Sequence, residues 1–338
     1  MTSIAILIIS LGIILVGAEV FVNGVEWLGK KLNLSEGAVG SVLAAVGTAL
    51  PETVIPIIAL IFGANEKGTE IGIGAILGAP LMLSTLAMFV TGMAVLVFSR
   101  RRQSGTKVHA DYSSLSRDLG FFIIVFTAAV LTGIFPPELR HWQLAIAGFM
   151  IFSYLWYVYS TLTEERDITG DDDVPALYFA RKQKSPALAT ILLQIGIALV
   201  FIVGGANLFV ESTTQVAVTY GVPAFVLALI IAPVATELPE KFNSVIWISR
   251  DKDTLALGNI TGAMVFQSSV IPAIGIFMTD WQLTGGAFIA AILALLSAAV
   301  IYVELITKKH ITAGALLGGG VFYGIFLISV FEGIIRQL

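Results

Sequence analysis

The sequence predicts an all-α membrane protein of ten transmembrane helices, arranged as two inverted five-helix repeats with broken helices at a central site. Three observations predict it. Of 338 residues, 57% are hydrophobic and only 12% charged, where a soluble domain carries about 25% charge. The apolar residues gather into runs of about 20, the length that crosses a bilayer. The two halves of the chain also match each other at nearly constant offsets.

Taken in order, spans are expected at 3–25, 37–62, 70–98, 119–136 and 142–162, and, after a linker over 163–186, at 187–211, 223–248, 254–278, 283–304 and 312–334. The first run is longer than a signal-peptide core and has no basic flank before it, so it reads as a retained helix. With the N-terminus outside, fifteen of the 19 Lys and Arg fall on the cytoplasmic side. Only Lys67, Arg140 and Arg336 fall outside, and Lys241 lies within a span. That bias follows the positive-inside rule and places both termini outside. The Arg100-Arg101-Arg102 cluster reads as a determinant of this topology. The linker, with Glu164, Glu165, Asp167 and Asp171 to Asp173, reads as a solvated loop.

The repeat is visible in short matches. Gly17-Ala18-Glu19-Val20-Phe21-Val22 aligns with Gly205-Ala206-Asn207-Leu208-Phe209-Val210 at an offset of 188, and the same offset lays Thr48-Ala49-Leu50-Pro51-Glu52 on Thr236-Glu237-Leu238-Pro239-Glu240. Gly74 to Ala79 aligns with Gly258 to Ala263 at 184. Five spans is an odd number, so residues 187–338 enter the membrane opposite to residues 1–162, the inverted plan of secondary transporters.

The T-x-L-P-E runs carry the chemistry. An ionised Glu in the bilayer costs at least ~2.5 kcal/mol. Pro51 and Pro239 withhold a backbone donor and free carbonyls near Gly47 and Ala235. Thr48 and Thr236 stand four residues before Glu52 and Glu240, on the same helical face. Two such faces meeting across a pseudo-two-fold offer carboxylates, hydroxyls and carbonyls, an all-oxygen site for Ca²⁺ or another hard cation. Gly72 to Gly78 and Gly258 to Gly262 read as helix-packing positions, whereas Asn259, Gln267, Ser268 and Ser269 need polar partners within a span. Glu237, a third carboxylate, is expected either to pair with Lys241 one turn on or to act as a ligand.

Other functions have little support. Cys is absent, so disulfides and thiolate metal sites are excluded. His109, His141 and His310 all stand in loops or at span ends. No nucleophile has an evident base, which argues against an intramembrane enzyme. One chain supplies no ring of repeated polar groups, which argues against a channel. A net charge of −4 gives no reason to expect nucleic acid; the expected partners are lipid and small inorganic cations, with no cofactor.

These motifs resemble the alpha-repeats of the cation/calcium antiporter superfamily, in its prokaryotic sodium/calcium exchanger branch. That family's pattern is G-[ST]-[SG]-x-P-E followed by G-N-x-x-G-[SA]-N. It is seen here as Gly47 to Glu52 with Gly74 to Pro80, and as Ala235 to Glu240 with Gly258 to Met264. The resemblance implies a multi-pass protein of a prokaryotic cell membrane in which Glu52 and Glu240 bind Ca²⁺. Thr48, Thr236 and nearby carbonyls would help to bind Na⁺ or Ca²⁺ in alternation. Departures from the pattern are Ala49, Glu237, Ala79, Ala263, Leu83 and Gln267, which remove several hydroxyl and amide ligands for Na⁺. The expected activity is antiport of a divalent cation, Ca²⁺, for Na⁺ or H⁺. H⁺-coupled exchange of Mg²⁺, Mn²⁺ or a monovalent ion is the alternative.

Overall fold

The computed structural model describes residues 2–31, 50–63, 66–163, 175–183, 185–283 and 285–337, without the side chains of residues 2, 50, 66, 162–163, 238–243 and 334–337. The helices are α1 (Thr2–Lys31), α2 (Leu50–Phe62), α3 (Glu66–Met82), α4 (Met88–Phe98), α5 (Tyr112–Thr132), α6 (Arg140–Thr163), α7 (Leu188–Tyr220), α8 (Ala224–Ser249), α9 (Asp253–Met278), α10 (Gly285–Lys308) and α11 (Ala313–Gln337). A π-turn, Leu83–Ala87, joins α3 and α4 into one rod. Among the described residues, eight helices are long and apolar enough to cross a membrane. Two shorter apolar stretches, Pro51–Phe62 and Ala224–Glu237, fall at the second and seventh expected spans.

The counterpart helices α1 and α7 pack along each other and run antiparallel. Gly17 of α1 lies against Ile202 of α7, and Gly205 of α7 lies against Ile14 of α1. These two contacts exchange under the offset of 188, as a two-fold relation requires. A Cβ at Gly17 or Gly205 would fall within 2.9 Å of the facing isoleucine, so glycine sets the depth of this seam.

The glycines of the first half also pack as the sequence suggests. A Cβ at Gly74 would fall 2.5 Å from the Phe225 carbonyl oxygen, and one at Gly78 would overlap the carbonyl of Leu229 and the ring of Pro233. Thus α3 and α8 touch backbone to backbone. Gly78→Val should therefore destabilise the protein by about 1–3 kcal/mol, read as a lowered midpoint of thermal denaturation in detergent. For Gly258 and Gly262, no described atom lies within 4 Å of the corresponding position. Residues 37–45, their expected neighbours by the repeat, lie outside the described residues.

Among the described residues two large apolar cores result, beside a small third one around Trp27, Leu177, Ala180 and Ile191. The larger unites α3–α5 and α8–α11 with part of α6. The smaller unites α1, α2 and α7 with one face each of α3 and α8. Among the described residues, only these last two helices contribute buried residues to both.

Four features differ from the sequence reading. First, α8 continues unbroken through Pro233 and Pro239 to Ser249. A helix can lose the one hydrogen bond each proline removes when its neighbours still hold it, so the break expected there is absent. Second, residues 107–108 (β1) and 311–312 (β2) form a two-residue antiparallel ladder, because the loops after α4 and α10 meet at one end of the bundle.

Third, Arg102, read from sequence only as part of a topology-setting cluster, is buried beside that ladder. Its Nη1 and Nη2 donate to Asp253 Oδ1 and Oδ2 at 2.7 and 2.8 Å, and its remaining donors reach the carbonyls of Ile248, Lys107 and Gly105. The His109 amide adds a bond of 2.8 Å to Asp253. A guanidinium can be buried when its donors are matched by such a bidentate acceptor.

Fourth, part of the linker is docked. The Pro175 carbonyl accepts from Trp27 Nε1 at 2.8 Å, the Tyr178 amide donates to Asn23, and the Phe179 amide donates to Gln194 of α7. Leu177 is fully buried between α1 and α7, since the acidic run gives way to apolar residues there. The Tyr178 hydroxyl donates to Glu19 at 2.9 Å, and this bond pushes the phenol above its ordinary pKa and keeps it a donor. The acidic residues 164–173 lie outside the described residues.

Candidate cation site

Glu52 stands near the start of the described part of α2 and is only 6% exposed. Pro56, one turn later in the same helix, has no N–H to give the Glu52 carbonyl. The expected kink proline was Pro51, but Pro56 is the one that withholds a donor from the acidic residue itself. Helix α2 touches both α8 and α9, which carry the rest of the described site.

On α8, Thr236 and Glu237 are buried, at 1% and 3% exposure. Thr236 Oγ1 donates to the Ala232 carbonyl at 2.9 Å. Its proton is thereby committed, and its lone pairs remain for an acceptor's work such as cation binding. Gln267 Nε2 of α9 donates to Glu237 Oε1 at 3.3 Å, so two expected accessory residues, 30 positions apart, are brought together. Lys241, the sequence-level partner of Glu237, has its side chain outside the described residues, as does Glu240; Gly47 and Thr48 lie outside altogether. Ala235 is half-buried beside Thr236. Asn259 is half-buried eight residues before Gln267, about 12 Å along the helix, and among the described contacts nothing joins it to Glu237.

The first copy has no polar side chain at the position equivalent to Gln267. At the offset of 184, Gln267 corresponds to Leu83, the first residue of the π-turn. Ser84 Oγ donates to the Pro80 carbonyl at 2.7 Å and Thr85 Oγ1 to that of Leu81. The Ser84 carbonyl accepts from Ser297 Oγ at 2.6 Å. A π-turn of this kind inserts one residue and redirects carbonyls out of the regular ladder, often at functional sites. Sequence periodicity does not show such a turn.

Three buried charges outside this site escaped the sequence reading. Arg102 and Asp253 form the clasp described above. Asp118, 4% exposed, lies in α5 one residue before the span expected at 119. A cavity of about 1060 Å³ opens between the starts of α3, α8 and α10 and the end of α11, with Glu70 as its one described carboxylate; neither Glu52 nor Glu237 lines it.

Comparison with known proteins decides the family. The model of the sodium/calcium exchanger protein family matches residues 2–163 and 190–332. The chain belongs to that exchanger family. It is 22% identical over 324 residues to the inner membrane protein YrbG of Escherichia coli, covering 94% of this chain and 93% of that one. Among solved structures, the H⁺/Ca²⁺ exchanger CAX superposes with a TM-score of 0.74 at 16% identity over 98% of this chain and 84% of CAX. The sodium-calcium exchanger NCX_Mj superposes with a TM-score of 0.58 at 17% identity over 97% of this chain and 98% of NCX_Mj. Membership of the exchanger family makes this a multi-pass membrane antiporter and not an enzyme, and the two superpositions show that the fold is the exchangers' own.

Proposed function

We propose that this chain exchanges Ca²⁺ for a monovalent cation, with Glu52 and Glu240 as the carboxylate ligands and Thr48 and Thr236 as hydroxyl ligands. One observation carries the reading. The buried Glu52 lies on a helix that contacts both α8, with Thr236 and Glu237, and α9, with Gln267. An all-oxygen set of this kind, rich in carboxylates, suits a hard divalent ion.

H⁺ is the favoured counter-ion, Na⁺ the second. Carboxylates brought together in a low-dielectric site cannot all stay ionised without a cation, so they take up protons when it leaves. Ala49, Ala79 and Leu83 stand where the family offers polar ligands. Other divalent or monovalent cargo remains the alternative within the same chemistry. The antiparallel α1–α7 pair and the two stretches matched by the family model support two inverted halves, 1–162 and 187–338, joined by 163–186. The charge bias supports both termini outside. Two separate cores, with α3 and α8 shared, support a rigid-body motion of α1 and α7 against the rest as the alternating step.

Purified protein in liposomes tests this directly. A pH gradient without Na⁺ should drive uptake of radioactive Ca²⁺. Uptake that requires a Na⁺ gradient would overturn the H⁺ assignment, and no uptake under either gradient would overturn Ca²⁺ exchange.

A further inference from the structure

Asp118 is a charge buried in a membrane span, and it does not belong to the cation site. Tyr157 of α6 donates its hydroxyl to Oδ1 at 2.7 Å, and Thr261 of α9 donates to Oδ2 at 2.8 Å. Arg117 Nε lies 3.6 Å from Oδ1, and its guanidinium stands 5.1 Å over the Tyr157 ring. On the remaining neighbour, α10, Tyr302 faces this helix at Gly120. Two hydroxyls and a guanidinium thus converge on one buried carboxylate from α5, α6 and α9. A pair of apolar side chains would pack α5 on α9 without the cost of a charge in the membrane.

The position of Thr261 says what the charge is for. At 100° per residue, Asn259 and Ala263 lie about 160° around α9 from Thr261. The carboxylate thus grips the face of α9 turned away from those two alpha-repeat positions. Six residues further along the same helix, Gln267 bonds Glu237.

We infer that Asp118 is a positioning residue for cation exchange, acting through Thr261 to fix the rotation and height of α9 and hence of the groups it presents to the ion. This rests on the exchange reading above. Thr261→Val keeps the side-chain shape and removes the donor, whereas Thr261→Ser keeps the donor. In liposomes, Thr261→Val should raise the half-saturating Ca²⁺ concentration about fivefold to tenfold, less than the full weight of a hydrogen bond to a charged group because the effect reaches the ion only through the helix, with maximal rate within about twofold. Thr261→Ser should stay within about twofold of wild type. Adding Asp118→Asn to Thr261→Val should change affinity no further than Asp118→Asn alone, because the two act as one unit.

Unchanged affinity in Thr261→Val, equal losses in Val and Ser, or independent multiplying effects would each overturn the inference. If Asp118→Asn does not fold, the Val and Ser pair still decides it. Wild-type vesicles that carry no Ca²⁺ would sink the exchange reading instead. Hydrogen exchange over residues 253–262 would then decide: faster exchange in Val than in Ser supports positioning by Asp118, and equal exchange overturns it.

Discussion

Replacing Glu52 with Gln should lower Ca²⁺ affinity by two to three orders of magnitude while leaving the protein folded. The side chain keeps its size, so packing around its 6% exposed position is preserved. Removing one member of a buried charged set costs about 3–5 kcal/mol, and about 1.4 kcal/mol is tenfold in a binding constant. Direct binding of radioactive Ca²⁺ to detergent-solubilised protein measures it. Undiminished binding would remove Glu52 from the site, whatever the counter-ion.

The second large effect is on stability. Arg102→Ala leaves Asp253 buried and ionised with only backbone donors, and should cost about 3–5 kcal/mol. Asp253 is 3% exposed and Arg102 5%, so the carboxylate left behind lies away from bulk solvent. The double substitution Arg102→Met with Asp253→Leu should recover much of the loss, because it removes both charges together. Thermal denaturation in detergent separates the cases, and a single variant as stable as wild type would show that the clasp is dispensable.

These two sites differ in how far they could be read from the chain. The burial of Glu52 was legible because a carboxylate beside proline in an apolar run has few inexpensive explanations, and its candidate role because the motif recurs at a fixed offset. The helices themselves were legible from hydropathy, and the packing of Gly74 and Gly78 from small-residue spacing. Arg102 was not. Its partner lies 151 positions away, and in sequence it is one of three adjacent arginines that read together as a topology determinant. Asp118 was missed for a related reason: the apolar window began one residue after it, while the helix begins at Tyr112. For Glu237 the sequence left two roles open, a pair with Lys241 or a ligand, since local spacing is all that one sequence supplies. One of its partners, Gln267, comes from the next helix, beyond the reach of local spacing.

The π-turn between α3 and α4 has a consequence beyond its carbonyls. One extra residue in a helix advances everything after it by about 100°. Gly92, beyond the turn, lies against Leu316 of α11, and Phe89 lies against Gly320. Without the insertion those contact points would swing a quarter-turn or more off the seam. Leu83–Ala87 therefore works as a phase corrector, keeping one rod in step with two different partners: α8 along its first half and α11 along its second.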